Sequence, residues 1–106
     1  MTKVIFSRRF LLHLDSIYNY IARDDPGAAR SVLRRIYEAA ENIEAFPEMG
    51  RMTVVRDIRM FPVTPYPYVL YFRLVPKRDE IRMLAVRHAA RGNRMALHEE
   101  AAEFRR

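Results

Sequence analysis

The chain has 106 residues, the length of one domain, and half of them are hydrophobic, which excludes a disordered polyelectrolyte. It has no cysteine, so a disulfide scaffold, a thiol nucleophile and a zinc–thiolate centre are excluded, and a reducing, cytoplasmic setting is expected. Nineteen Lys and Arg face thirteen Asp and Glu, a net charge of +6, and every basic residue except Lys3 and Lys77 is Arg.

The predicted elements begin with a short strand over Lys3 to Ser7 (KVIFS), in which Val4, Ile5 and Phe6 suit burial. From Arg8 the period becomes helical. Phe10, Leu14, Ile17 and Ile21 fall on one face with Leu11 and Tyr18 beside them, giving an amphipathic helix of about four turns. Asp24-Asp25-Pro26 stops it, and Asp25 followed by Pro26 is an N-cap and first position for a second helix. That helix runs from about Pro26 to Ala45, with Ala29, Val32, Leu33, Ile36, Ala40 and Ile43 as its apolar stripe. The short link makes the two helices an antiparallel hairpin. Pro47 ends the second helix and Gly50 supplies a turn.

Strand chemistry follows. Met52 to Arg56 reads as a short strand or a loop, and Ile58 to Val63 (IRMFPV) as a strand. Tyr68 to Val75 (YVLYFRLV) is the most β-prone run and suits a central position buried on both faces. Pro76 to Asp79 is a turn, and Glu80 to Arg87 (EIRMLAVR) is its hairpin partner. Asn93 can cap a last helix over about 93–105. The order is β-α-α-β-β-β plus that tail: an α+β fold with a helical hairpin packed on a curved, mainly antiparallel sheet. The hairpin covers one face, and the other is left open or covered by the tail or a partner. No linker or repeat divides the chain, so residues 1–106 form a single domain.

Chemistry-bearing motifs are sparse. The three glycines, Gly27, Gly50 and Gly92, make no phosphate loop, and no paired-acid or His-Glu pattern has metal spacing, so no cofactor or metal is expected. No run approaches the roughly 18–20 apolar residues of a membrane span, and MTKVIFSRRF has no secretory-signal pattern. His13 and His98 suit structural roles. The run Val86-Arg87-His88-Ala89-Ala90-Arg91 stands at the end of the last strand. Val86 and His88 share a face there, with Arg87 on the other. His88 beside Arg91 could donate a proton next to a phosphate-binding cation, or it could cap the strand end or bond a backbone carbonyl. Arg59 is a charge within an apolar strand and needs a solvated or partner-covered face, or an acid such as Asp57 or Glu80. Tyr66, Tyr68, Tyr71 and Phe72 with Arg73 read as a nucleic-acid stacking platform or as the central strand of a core.

VIFSRRFLLHLDSIYNYIARDDPGAAR, FPEMGR, DIRMF, YPYVLYFRL and EIRMLAVRHAAR, in that order and spacing over about residues 3–91, resemble toxins of the RelE/ParE superfamily. The details look most like its ParE branch, the plasmid stabilisation proteins. The resemblance implies a cytoplasmic bacterial toxin of a type II toxin–antitoxin system. A ParD-like antitoxin with a ribbon-helix-helix start and an extended acidic–apolar segment would bind it in a hetero-oligomer.

RelE-like members cut ribosome-bound mRNA with a basic cluster; ParE-like members are described as DNA gyrase poisons and lack that cluster. Here Arg59 resembles one basic site and His88 falls near the late catalytic position. Phe61 and Tyr68, however, stand where the nucleases carry further basic residues. The resemblance thus implies a gyrase inhibitor acting by binding, without sequence-specific contact to nucleic acid. An mRNA endonuclease using Arg59 and His88 is the alternative. Target contacts are expected from Arg59, His88, Arg91, Arg94, Phe104, Arg105 and Arg106. Antitoxin contacts are expected from Ile17, Tyr18, Arg30, Arg34, Arg59 and Arg73.

Overall fold

Ser7 ends the first strand and starts the first helix with one side chain. Its Oγ accepts a hydrogen bond from the Phe10 N–H at 3.0 Å, an N-cap, while its hydroxyl donates to the Leu84 carbonyl at 3.1 Å. The computed structural model of the chain describes residues 2–90. Strand β1 spans Lys3–Phe6, helix α1 Arg8–Ala22 and helix α2 Pro26–Ala45. Asp25 caps α2 by accepting from the Ala28 N–H at 3.1 Å, with Pro26 at the first helical position. The remaining strands are β2 (Arg51–Met52), β3 (Ile58–Pro62), β4 (Tyr68–Val75) and β5 (Glu80–His88). The expected segment from Met52 to Arg56 is therefore mostly loop, with its two-residue strand ending at Met52.

The five strands form one sheet in the order β1-β5-β4-β3-β2. All neighbours are antiparallel except β1, which runs parallel to β5 with Lys3 opposite Glu80 and Phe6 opposite Met83. The fold is α+β, two helices on a mixed, mainly antiparallel sheet. β4 is the middle strand, as its apolar run on both faces predicts.

One face of the sheet carries the helices. Phe10 and Leu14 of α1 and Val32, Ile36, Ala39, Ala40 and Ile43 of α2 pack on Leu70, Phe72, Ile81, Met83 and Val86. Leu11, expected beside the stripe, is 45% exposed. The opposite face is not bare. Val55, Ile58, Val69, Tyr71, Leu84 and Ala85 are all buried there as a second core. Thr53 holds the 53–57 loop that delivers Val55, its hydroxyl bonding the Val55 and Ile58 carbonyls at 3.1 and 2.9 Å.

A register shift near Tyr71 and Phe72 of β4 leaves Tyr71 opposite Ala85 and Phe72 opposite Met83, so Leu84 is an extra residue in β5. This bulge turns Leu84 and Ala85 to the same face. Before it, the odd-numbered Ile81 and Met83 face the helices; after it, the even-numbered Val86 does. The bulge thereby aims His88, opposite Tyr68, to the helix side and leaves Arg87 on the other, the alternation expected of this run.

Candidate functional site

The end of β5, the start of β4 and helix α1 line an open cleft of about 580 Å³. It is lined by His13, Ser16, Ile17 and Tyr20 of α1, Tyr68 of β4, Val86, Arg87 and His88 of β5, and Ala90. Among the described residues, no carboxylate lines it.

His13 anchors the cleft. Its Nδ1 accepts the Val86 N–H at 3.2 Å, standing in for the β1 strand that has already left the sheet. His88 is exposed at the rim, and its Nδ1 accepts the Ala90 N–H at 3.2 Å. It caps the strand end through a backbone amide, where a carbonyl was one expectation. With Nδ1 accepting, the neutral ring carries its proton on Nε2. The Tyr68 ring meets His88 edge-on, with centroids 5.7 Å apart and planes at 79°. Burial raises the Tyr68 phenol above its ordinary value, and the neighbouring Tyr20 adds to the shift.

Arg59 does not join this site. It pairs with Phe72 across β3 and β4, which turns it toward the helix face, and its Nη1 donates to the Gly50 carbonyl at 3.2 Å. Of the two expectations for Arg59, the acid partner is replaced by a backbone carbonyl; Glu80 instead accepts from Arg82 at 3.3 Å. From Arg59 to His88 the backbone crosses two strand spacings, about 10 Å, and four residues along β4, about 13 Å, a diagonal of roughly 16 Å. The core side chains Phe61, Leu70 and Val86 lie on the same face as this diagonal. Arg73 lies on the far face, opposite Arg82 and Ile58, with its Nε buried and unbonded among the described residues.

The other expected contacts scatter. Ile17 is half-buried in the cleft, Tyr18 is half-buried on α1, and Arg30 and Arg34 are exposed one turn apart on α2. The aromatic run is split between faces, with Tyr68 and Phe72 toward the helices and Tyr71 in the second core, so it is no stacking platform. Arg91, Arg94, Phe104, Arg105 and Arg106, with His98 and the expected helix over 93–105, lie outside the described residues. Sequence reasoning missed Tyr20, which is 71% exposed at the cleft mouth and lies on the polar side of the α1 pattern.

Residues 4–92 match the family model described as the ParE toxin of the type II toxin–antitoxin system, parDE. Toxin RelE2 of Caulobacter vibrioides is 32% identical over 91 residues, covering 86% of this chain and 99% of that protein. Y4kP of Sinorhizobium fredii is 33% identical over 87 residues, 82% of this chain and 88% of the relative. Among solved structures, the chromosomal ParDE system of P. aeruginosa superposes with a TM-score of 0.73 at 23% identity, covering 83% of this chain and 96% of that one. The intact E. coli RelBE toxin–antitoxin complex gives 0.61 at 12% identity, covering 89% and 100%. The chain belongs to the ParE toxin family of type II toxin–antitoxin systems.

Proposed function

We propose that this toxin inhibits DNA gyrase by binding and is neutralised in the cytoplasm by a ParD-like antitoxin with a ribbon-helix-helix domain, the whole chain acting as one toxin domain. The observation that carries the reading is the separation of Arg59 from His88. Cleaving a phosphodiester through a pentacovalent transition state needs preorganised cations around one phosphate. Arg59 donates to the Gly50 carbonyl, its backbone stands roughly 16 Å from that of His88, and Tyr68, a phenol, sits beside the histidine. Adhesion to a protein target makes no such demand. The Arg-rich surface suits an acidic antitoxin, for which complementary charge mainly sets association rate and specificity.

Induction without antitoxin separates the two readings. The expected outcome is DNA damage response and filamentous cells, with messenger RNA intact by primer extension. Cleavage at ribosome-occupied codons without DNA damage would reverse the assignment in favour of the endonuclease.

A further inference from the structure

The sheet ends at β2 on one side, and the exposed apolar surface gathers there. Phe46, Met49, Met52 and Val54 are all exposed, Met52 by 69%. They lead from the end of α2 through the edge strand into the loop after it. The other edge differs. In β1, Val4, Ile5 and Phe6 are half-buried, and the exposed residue is Lys3, a charge of the kind that keeps strand edges apart.

The ladder between β2 and β3 fixes which backbone groups of this edge are free. Arg51 stands opposite Met60 and Met52 opposite Arg59, and the Thr53 N–H donates to the Ile58 carbonyl at 3.2 Å. Residues 51 and 53 therefore turn their backbone groups to β3, and Met52 turns its N–H and carbonyl outward. Among the described residues, no strand lies beyond β2. The Met52 side chain shares its face with Arg59 and Phe72, the helix side.

One outward donor and one outward acceptor on the same residue are self-complementary. A two-fold axis beside Met52 sets it opposite Met52 of a second copy, each giving its N–H to the other's carbonyl. In that register Arg51 faces Thr53 and Gly50 faces Val54 of the second copy, so no like charges stand directly opposite. The two methionines then meet on one face, with Phe46, Met49 and Val54 of each copy flanking the edge.

We propose that β2 is a self-association edge, through which two copies of this chain join their sheets antiparallel about a two-fold axis at Met52. The pairing covers an apolar edge that would otherwise recruit other strands. The exposed apolar patch is smaller than the roughly 800 Å² per partner of a standard interface, so the dimer is weak and forms at about 10–100 μM.

Sedimentation equilibrium of the full chain without antitoxin, from about 1 to 300 μM, tests this. Wild type is expected to pass from monomer to dimer and no further, because a two-fold contact closes on itself. Met52 is exposed, so charge is tolerated there in the monomer. Met52→Glu and Met52→Lys each set like charges against each other and are expected to weaken the dimer about tenfold or more. Mixed in equal amounts, the two variants are expected to recover it as a one-to-one pair. Leu12→Lys, at an exposed position on α1 away from this edge, should dimerise like wild type. The chain has no cysteine, so Met52→Cys should give a single disulfide-linked dimer on oxidation. A chain that is monomeric throughout, a dimer indifferent to charge at Met52, or variants that do not recover on mixing overturns the proposal. A monomeric chain that loses antitoxin binding on Met52→Glu also overturns it and assigns the edge to the antitoxin.

Discussion

His13 Nδ1 accepts the Val86 N–H at 3.2 Å, joining the middle of α1 to the end of β5 across 73 positions of chain. The bond replaces one rung of a ladder that β1 no longer supplies. His13→Ala should leave a part-buried N–H unpaired and cost about 1–3 kcal/mol. Urea unfolding should show this as a lower midpoint at unchanged slope. An unchanged midpoint would mean that the rung contributes nothing.

Gly50 is buried against the fully buried Phe72 ring. A Cβ there would lie 2.7 Å from Phe72 Cε1 and 3.1 Å from Arg59 Cβ, as well as against Phe72 Cζ. Its φ of −69° is open to any residue, so space and not backbone freedom keeps it glycine. Gly50→Ala should destabilise by about 1–3 kcal/mol through overpacking, measured by the same unfolding experiment.

The far face of the sheet behaves as a core in its own right. Ile58 is 2% exposed there. Ile58→Ala should cost about 2–5 kcal/mol, the range for buried isoleucine. A loss below about 1 kcal/mol would mark the face as peripheral.

Tyr68 gives a pH dependence of definite sign. Burial raises its pKa in the folded chain, with Tyr20 adding to the rise. The unfolded chain therefore loses this proton first. The stability contributed is complete below the unfolded phenol pKa, about 10, and is lost as pH rises through the higher folded value. Between about pH 9 and 11 the unfolding midpoint of wild type should fall more steeply than that of Tyr68→Phe. Parallel curves would show that the shift has no bearing on folding.

The local signals were legible in the sequence. Asp25-Pro26 fixed the hairpin turn because an Asx cap and a proline at the first helical position act within one turn, and YVLYFRLV announced a middle strand by being apolar on both faces. The candidate site was less legible, because it is made by relationships at a distance. The Leu84 bulge contains no glycine to mark it, yet it decides which way His88 faces. Arg59 read as a charge seeking solvent or an acid; pairing opposite Phe72 turned it inward to a carbonyl. His13 suited a structural role, but its partner, a backbone amide freed by the departure of β1, follows only from the sheet order.

Inhibition by adhesion is tested most directly with purified gyrase. The chain, added at increasing ratio to a supercoiling reaction, should abolish conversion of relaxed plasmid, and prior addition of the antitoxin should restore it. A ribosome-programmed translation mix given the same protein should keep its messenger RNA whole. Undiminished supercoiling alongside cut messenger RNA would contradict the account.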